Sequence, residues 1–183
     1  VHQLQPPLAA VPDIMLDGAH TWFDTNPQHF TYDGGRLLAS VFPDLSNGLE
    51  ARLAALIAGG NAQDMSFVLG VLATFEGKPC VYELVRAIVV ALDSEGPLLH
   101  EARSVLYATG VVSGEFGFAE LHIARKALLE PWLADPSERV RIFATDQIRE
   151  LDRRIAAENR SAEASIALRK LEYGEELDGG EER

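Results

Sequence analysis

The chain has 183 residues, 47% hydrophobic and 24% charged, with 28 Asp and Glu against 16 Lys and Arg and a formal net charge of −12. Those proportions suit a globular domain with a sizeable core, and the acidic balance argues against broad nucleic-acid binding, which needs clustered Lys and Arg to displace counterions. One cysteine, Cys80, excludes an intramolecular disulfide, and no apolar run approaches the roughly 18 residues of a membrane span, so the expectation is a cytoplasmic protein without a signal peptide.

Residues 1–45 read as an irregular segment. "QPPLAAVP" is extended, because each proline disfavours helix in the residue before it. "DGAHTWFDTNP" predicts a helical turn or two stopped before Pro27. "DGGRLLASVFP" predicts a short helix with Asp33 as N-cap and Pro43 as its stop. Val1 stands where a Met would begin a whole chain, and the expectation is a segment of something longer.

From residue 46 the punctuation is regular. "SNGLEARLAALIAGG" pairs Asn47 with Glu50 at capping-box spacing, and Gly59–Gly60 supply the stop. "NAQDMSFVLGVLATFEG" starts at Asn61 and ends at Gly77. Pro79 and Pro97 suit the first turns of the next two helices, since a proline lacks only an N–H that needs no partner there. "TGVVSGEFGFAE" reads as a joint, with Gly110 ending one helix, Ser113 capping the next, and Phe116 and Phe118 buried. It has no Lys and follows no strand, as a phosphate loop would require. Pro131 ends or kinks that helix, and Asp135-Pro136 with Glu138 starts the last one. The six helices after residue 46 pair at intervals that suit stacked helical hairpins. A compact irregular bundle is the alternative.

The segment "WLADPSERVRIFATDQIRELDRRIAAE" resembles the end of a HEAT-type repeat. The resemblance rests on Asp135, Pro136, Val140, Arg141, Phe143 and Ala144. It implies an all-α fold of antiparallel helical hairpins stacked as a short HEAT-like α-solenoid with a long C-terminal helix. Its parts are a capping N-terminal segment (1–45), a repeat-like domain (46–171) and an acidic disordered tail (172–183). Helical tails of this kind resemble those closing larger bacterial multidomain proteins.

No catalytic, cofactor-binding or metal-binding constellation is readable. Among His2, His20, His29, His100 and His122 no pair has zinc-site spacing, and Ser113 is not in a nucleophile elbow. His20 and Asp24 share a helical face. The acid pairs Glu101 with Glu115 and Glu76 with Glu83 read as solvated surface. The aromatic run Trp22, Phe23, Phe30 and Tyr32, with His29, either covers the open end of the stack or offers a docking surface. In the last helix Arg149, Arg153 and Arg154 are candidate partner contacts, interleaved with acids. Beyond Ala157 the helix is expected to project, as a homo-oligomer contact or a link to another domain of the parent chain.

The resulting expectation is a non-catalytic protein–protein interaction or assembly module. Two alternatives stand beside it. One is an enzyme with a small-molecule site between helices near Glu76, Arg86 and His122. The other is a HEAT-like nucleic-acid binder similar to the helical-repeat DNA glycosylases, whose basic concave face this acidic chain does not share.

Overall fold

A computed structural model describes residues 12–42, 45, 48–75, 77–92, 96–107 and 112–178. The side chains at 12, 28, 31–33 and 172–178 lie outside that description. Among the described residues the protein is all-α, with no strand. Its helices are α1 (Pro12–Thr25), α2 (Pro27–Val41), α3 (Leu49–Ala58), α4 (Ala62–Leu72), α5 (Pro79–Ala91), α6 (Pro97–Leu106), α7 (Gly117–Leu129), a 3-10 helix (Glu130–Ala134) and α8 (Glu138–Asp178). The chain divides into two compact units: Val1–Gly110 with Pro136–Val140, and Val111–Asp135 with Arg141–Arg183.

In the first unit the helices pair as hairpins, α1 with α2, α3 with α4 and α5 with α6. Each hairpin then stacks on the next in two layers. The odd layer runs α1, α3, α5 and the even layer α2, α4, α6. Helix α4 is central. Met65, Phe67, Val68, Leu69, Val71 and Leu72 are all buried, covering most of its circumference, as expected for a helix enclosed by neighbours. Each such Val, Leu, Met or Phe contributes about 1.5–3 kcal/mol through removal from water. The expected punctuation holds here. The Asn61 side chain accepts from the Gln63 amide at 2.9 Å, and Gly60 and Gly77 take the left-handed conformation at φ 73° and 72°. The cap expected at Asn47 lies outside the described residues, and Gly48 precedes α3.

The N-terminal part differs from its expected short helices. Helices α1 and α2 have 14 and 15 residues and are separated by Asn26 alone, with Pro27 opening α2. Asp33, expected as an N-cap, sits inside α2. The reason lies in Gly34 and Gly35, which serve packing rather than a turn. A Cβ at Gly34 would overlap the ring of Phe30, and one at Gly35 would collide with the Thr74 hydroxyl and lie 3.0 Å from the Gly70 carbonyl oxygen. The pair therefore lets α2 carry a folded-back aromatic ring and approach α4 backbone to backbone.

The second unit is an antiparallel pairing of α7 with α8. Lys126 Nζ lies 2.7 Å from Asp152 Oδ1, and near the other end Glu115 is ion-paired with Arg169. Helix α7 ends where Pro131 enters the 3-10 helix, as expected, and the Trp132 ring packs on Phe143 at a centroid distance of 6.1 Å. Arg141 Nη1 donates to the Asp135 carbonyl oxygen at 2.7 Å. Along α8, Ala144, Gln147, Leu151 and Ala162 are buried and Ile155, Glu158 and Ile166 half-buried. Their spacing of three and four residues keeps one face inward. The projection expected beyond Ala157 is corrected accordingly: α8 keeps an inward face past that point and is tied to the start of α7 at Arg169. Two further expectations at the joint change. Helix α7 starts at Gly117 without a side-chain cap from Ser113, and Phe116 and Phe118 are 37% and 45% exposed. Gly114 takes the left-handed turn at φ 84°, while Gly110 lies outside the described residues.

Candidate functional site

Three places gather polar side chains or expose apolar ones. The first is on α1. His20 and Asp24 do share a face, with Nδ1 3.6 Å from Asp24 Oδ2. The stronger contact crosses to α4, where His20 Nε2 lies 2.9 Å from Asp64 Oδ1. Gln63 Nε2 donates to Asp24 Oδ1 at 2.7 Å, and the His20 ring stands edge-on to Phe67 at 4.8 Å. Both imidazole nitrogens thus face carboxylates on opposite sides of the ring. Among the described residues no group of three or more His, Cys, Asp or Glu could hold a metal ion. The cluster is a clasp between the first two hairpins. Sequence spacing showed its His20–Asp24 half. Asp64 signalled only a helix start, because its partner is 44 residues away.

The aromatic run beneath it is mostly interior. Phe23 and Phe30 are 6% and 0% exposed and mesh with Phe67 at centroid distances of 5.5 and 5.2 Å. Of the two roles open to them, a docking surface is not that of Phe23 and Phe30, whose rings are buried against α4. Trp22 is half-buried and stands edge-on to Phe30 at 5.6 Å, and His29 is exposed. The Tyr32 side chain lies outside the described residues.

The second place is a cleft of about 320 Å³ between α4 and α6, lined by Phe23, Ser66, Leu69, Gly70, Ala73, Glu101, Ser104 and Val105. Ser66 Oγ donates to Glu101 Oε2 at 3.0 Å, and Glu101 is half-buried. A second depression of about 250 Å³ beside Gly60, Met65, Leu92 and Pro97 has no polar side chain in its lining.

The third is in the second unit, where polar side chains are buried among apolar ones. His122, Arg125, Asp135 and Gln147 are all buried beside Leu129, Trp132, Phe143 and Leu151, whereas among the described residues the buried side chains of the first unit are apolar. His122 Nδ1 meets no hydrogen-bond partner among the described residues. Burial, then the charges of Arg125 and Arg154, push the His122 pKa below its ordinary value. On the outside of α8, Arg149 pairs with Asp146 at 3.2 Å, and Arg153 and Arg154 both reach Glu150, at 3.1 and 3.0 Å. These three arginines are exposed, and each faces a carboxylate within one helical turn, Arg153 and Arg154 sharing Glu150. Of the residues proposed for an enzyme site, Glu76 lies outside the described residues, and Arg86 and His122 belong to different units. Glu101 and Glu115 likewise belong to different units, each with its own partner.

Burial, then the nearby Glu50 carboxylate, raise the Cys80 thiol pKa above the ordinary value. No helix among the described residues is long and apolar enough to cross a membrane. No protein-family model matches the chain, and neither the curated proteins nor the solved structures provide a match.

Proposed function

We propose that the chain is a non-catalytic protein–protein interaction or assembly module of HEAT-like type, which self-associates through the open end of the α7–α8 pair. One observation carries this reading. The Glu115–Arg169 ion pair brings the start of α7 and the outer part of α8 to the same end of the second unit. Phe116, Phe118, Leu168 and Leu171, all within three residues of that pair, are 37%, 45%, 60% and 68% exposed. Single exposed apolar residues are ordinary, but large ones gathered at one place favour a covering partner. The two-layer stacking of the first unit supports the HEAT-like part of the reading, since stacked hairpins commonly present surfaces to partners. The paired state of Arg149, Arg153 and Arg154 weighs against an anionic partner there.

Light scattering tests the assembly. The full chain is expected to run well above its 20.0 kDa monomer mass, and the exposed substitutions Leu168→Glu and Leu171→Glu are expected to return it to the monomer. A full chain that stays monomeric at high concentration removes self-association from the proposal.

A further inference from the structure

We infer that the cleft between α4 and α6 receives one basic side chain, an arginine or lysine, carried on a helical segment of a partner protein. This rests on the interaction-module reading but uses a different surface from the α7–α8 end. The cleft is built for one charge. Its walls are Phe23, Leu69 and Val105, and Gly70 on α4 with Ala73 just past its end leave its floor open. Into this apolar surround α6 places the half-buried Glu101 carboxylate. The Ser66 hydroxyl donates to Oε2 at 3.0 Å and orients the group. Among the described residues no cationic side chain pairs with Glu101.

A carboxylate in an apolar wall with a single neutral donor keeps its charge poorly compensated. A guanidinium or ammonium entering from outside supplies the missing charge, and its aliphatic stem fits the Leu69 and Val105 surface. At about 320 Å³ the cleft is at the lower end of small-molecule pockets and suits one long side chain. The net charge of −12 steers a basic segment toward the chain, and the groove between two packed helices suits a helical carrier.

The test uses short Ala- and Leu-based helical peptides with Arg, citrulline or Glu at one central position, titrated into the isotopically labelled full chain. The Arg peptide is expected to shift the amides of Ser66, Gly70, Ala73 and Ser104. Its affinity is expected to fall about tenfold when citrulline replaces Arg or when the chain carries Glu101→Gln. Ser104→Phe, a change at an exposed position, is expected to close the cleft and abolish the shifts. Unchanged circular dichroism in both variants separates loss of site from loss of fold. Equal binding of the Arg and citrulline peptides, or no shift with the Arg peptide, overturns the inference. Peptide binding by a strictly monomeric chain would leave the cleft standing and remove only the α7–α8 assembly. Self-association without peptide binding would do the reverse.

Discussion

The ring of Phe30 folds back along its own helix and fills the space in which a Cβ at Gly34 would sit. A glycine inside a helix ordinarily costs about 0.5–1 kcal/mol relative to alanine, so Gly→Ala is normally stabilising. At Gly34 the sign is expected to reverse. The added methyl displaces a fully buried ring, and overpacking of that kind costs about 1–3 kcal/mol. Gly18 on α1 is the control, because a Cβ there meets nothing within 4 Å. Gly18→Ala is expected to stabilise by about 0.5–1 kcal/mol. Urea denaturation of the two variants decides the matter, and shifts of the same sign count against this account of Gly34.

The His20–Asp64 clasp is expected to couple the first hairpin to the second. A double-mutant cycle with His20→Ala and Asp64→Ala should return an interaction of about 1 kcal/mol, typical of a part-buried hydrogen bond. Additive losses would mean that Phe67 and its neighbouring rings hold the two hairpins together without the clasp.

His122 makes stability depend on pH. Its pKa in the folded chain lies below the ordinary 6.5, so the unfolded chain binds the proton first as pH falls. Stability from this group is therefore complete above about pH 6.5 and declines below it as the unfolded state gains protons. The groups that face it are Arg125, Arg154 and Glu158, and only Glu158 acts to raise the pKa. Melting temperatures at pH 7.5 and just below 6 should separate more in the native chain than in His122→Gln. Equal separations would assign the pH dependence elsewhere.

Cys80 should alkylate slowly. Its raised pKa keeps the thiol protonated at neutral pH, and removing the nearby charge with Glu50→Gln should speed the reaction. Iodoacetamide labelling at fixed pH measures both. A native rate equal to that of free cysteine would contradict the burial argument.

Much of the fold was legible because its signals are local. Asn61, Gly60, Pro79, Pro97 and Pro131 each act within a turn of their own position, and the helix boundaries they mark are where expected, although α4 stops at Leu72 instead of Gly77. Asp33 misled for the same reason. It reads as an N-cap until the neighbouring ring and backbone that Gly34 and Gly35 accommodate are known. The joint at Gly114 misled in the other direction, since aromatic rings at Phe116 and Phe118 suggest burial and nothing in sequence says which of their faces is covered. Of the site residues, His20 and Asp24 were visible at helical spacing. The contacts that define the clasp and the cleft, His20 with Asp64 and Ser66 with Glu101, span 44 and 35 residues and carry no periodic trace.

The layered arrangement of the first unit also sets where thermal opening begins. Among the described residues, hairpin α1–α2 has a stacked hairpin on one side, whereas α3–α4 is held by hairpins on both sides. In a nearest-neighbour stack the end member opens alone and the middle one opens only with its flanks. Amide protons of α4 should thus exchange with solvent last, at the cost of disassembling the whole row. Those of α1 should exchange in a separate, earlier phase, so that the unit comes apart like a file of dominoes rather than all at once.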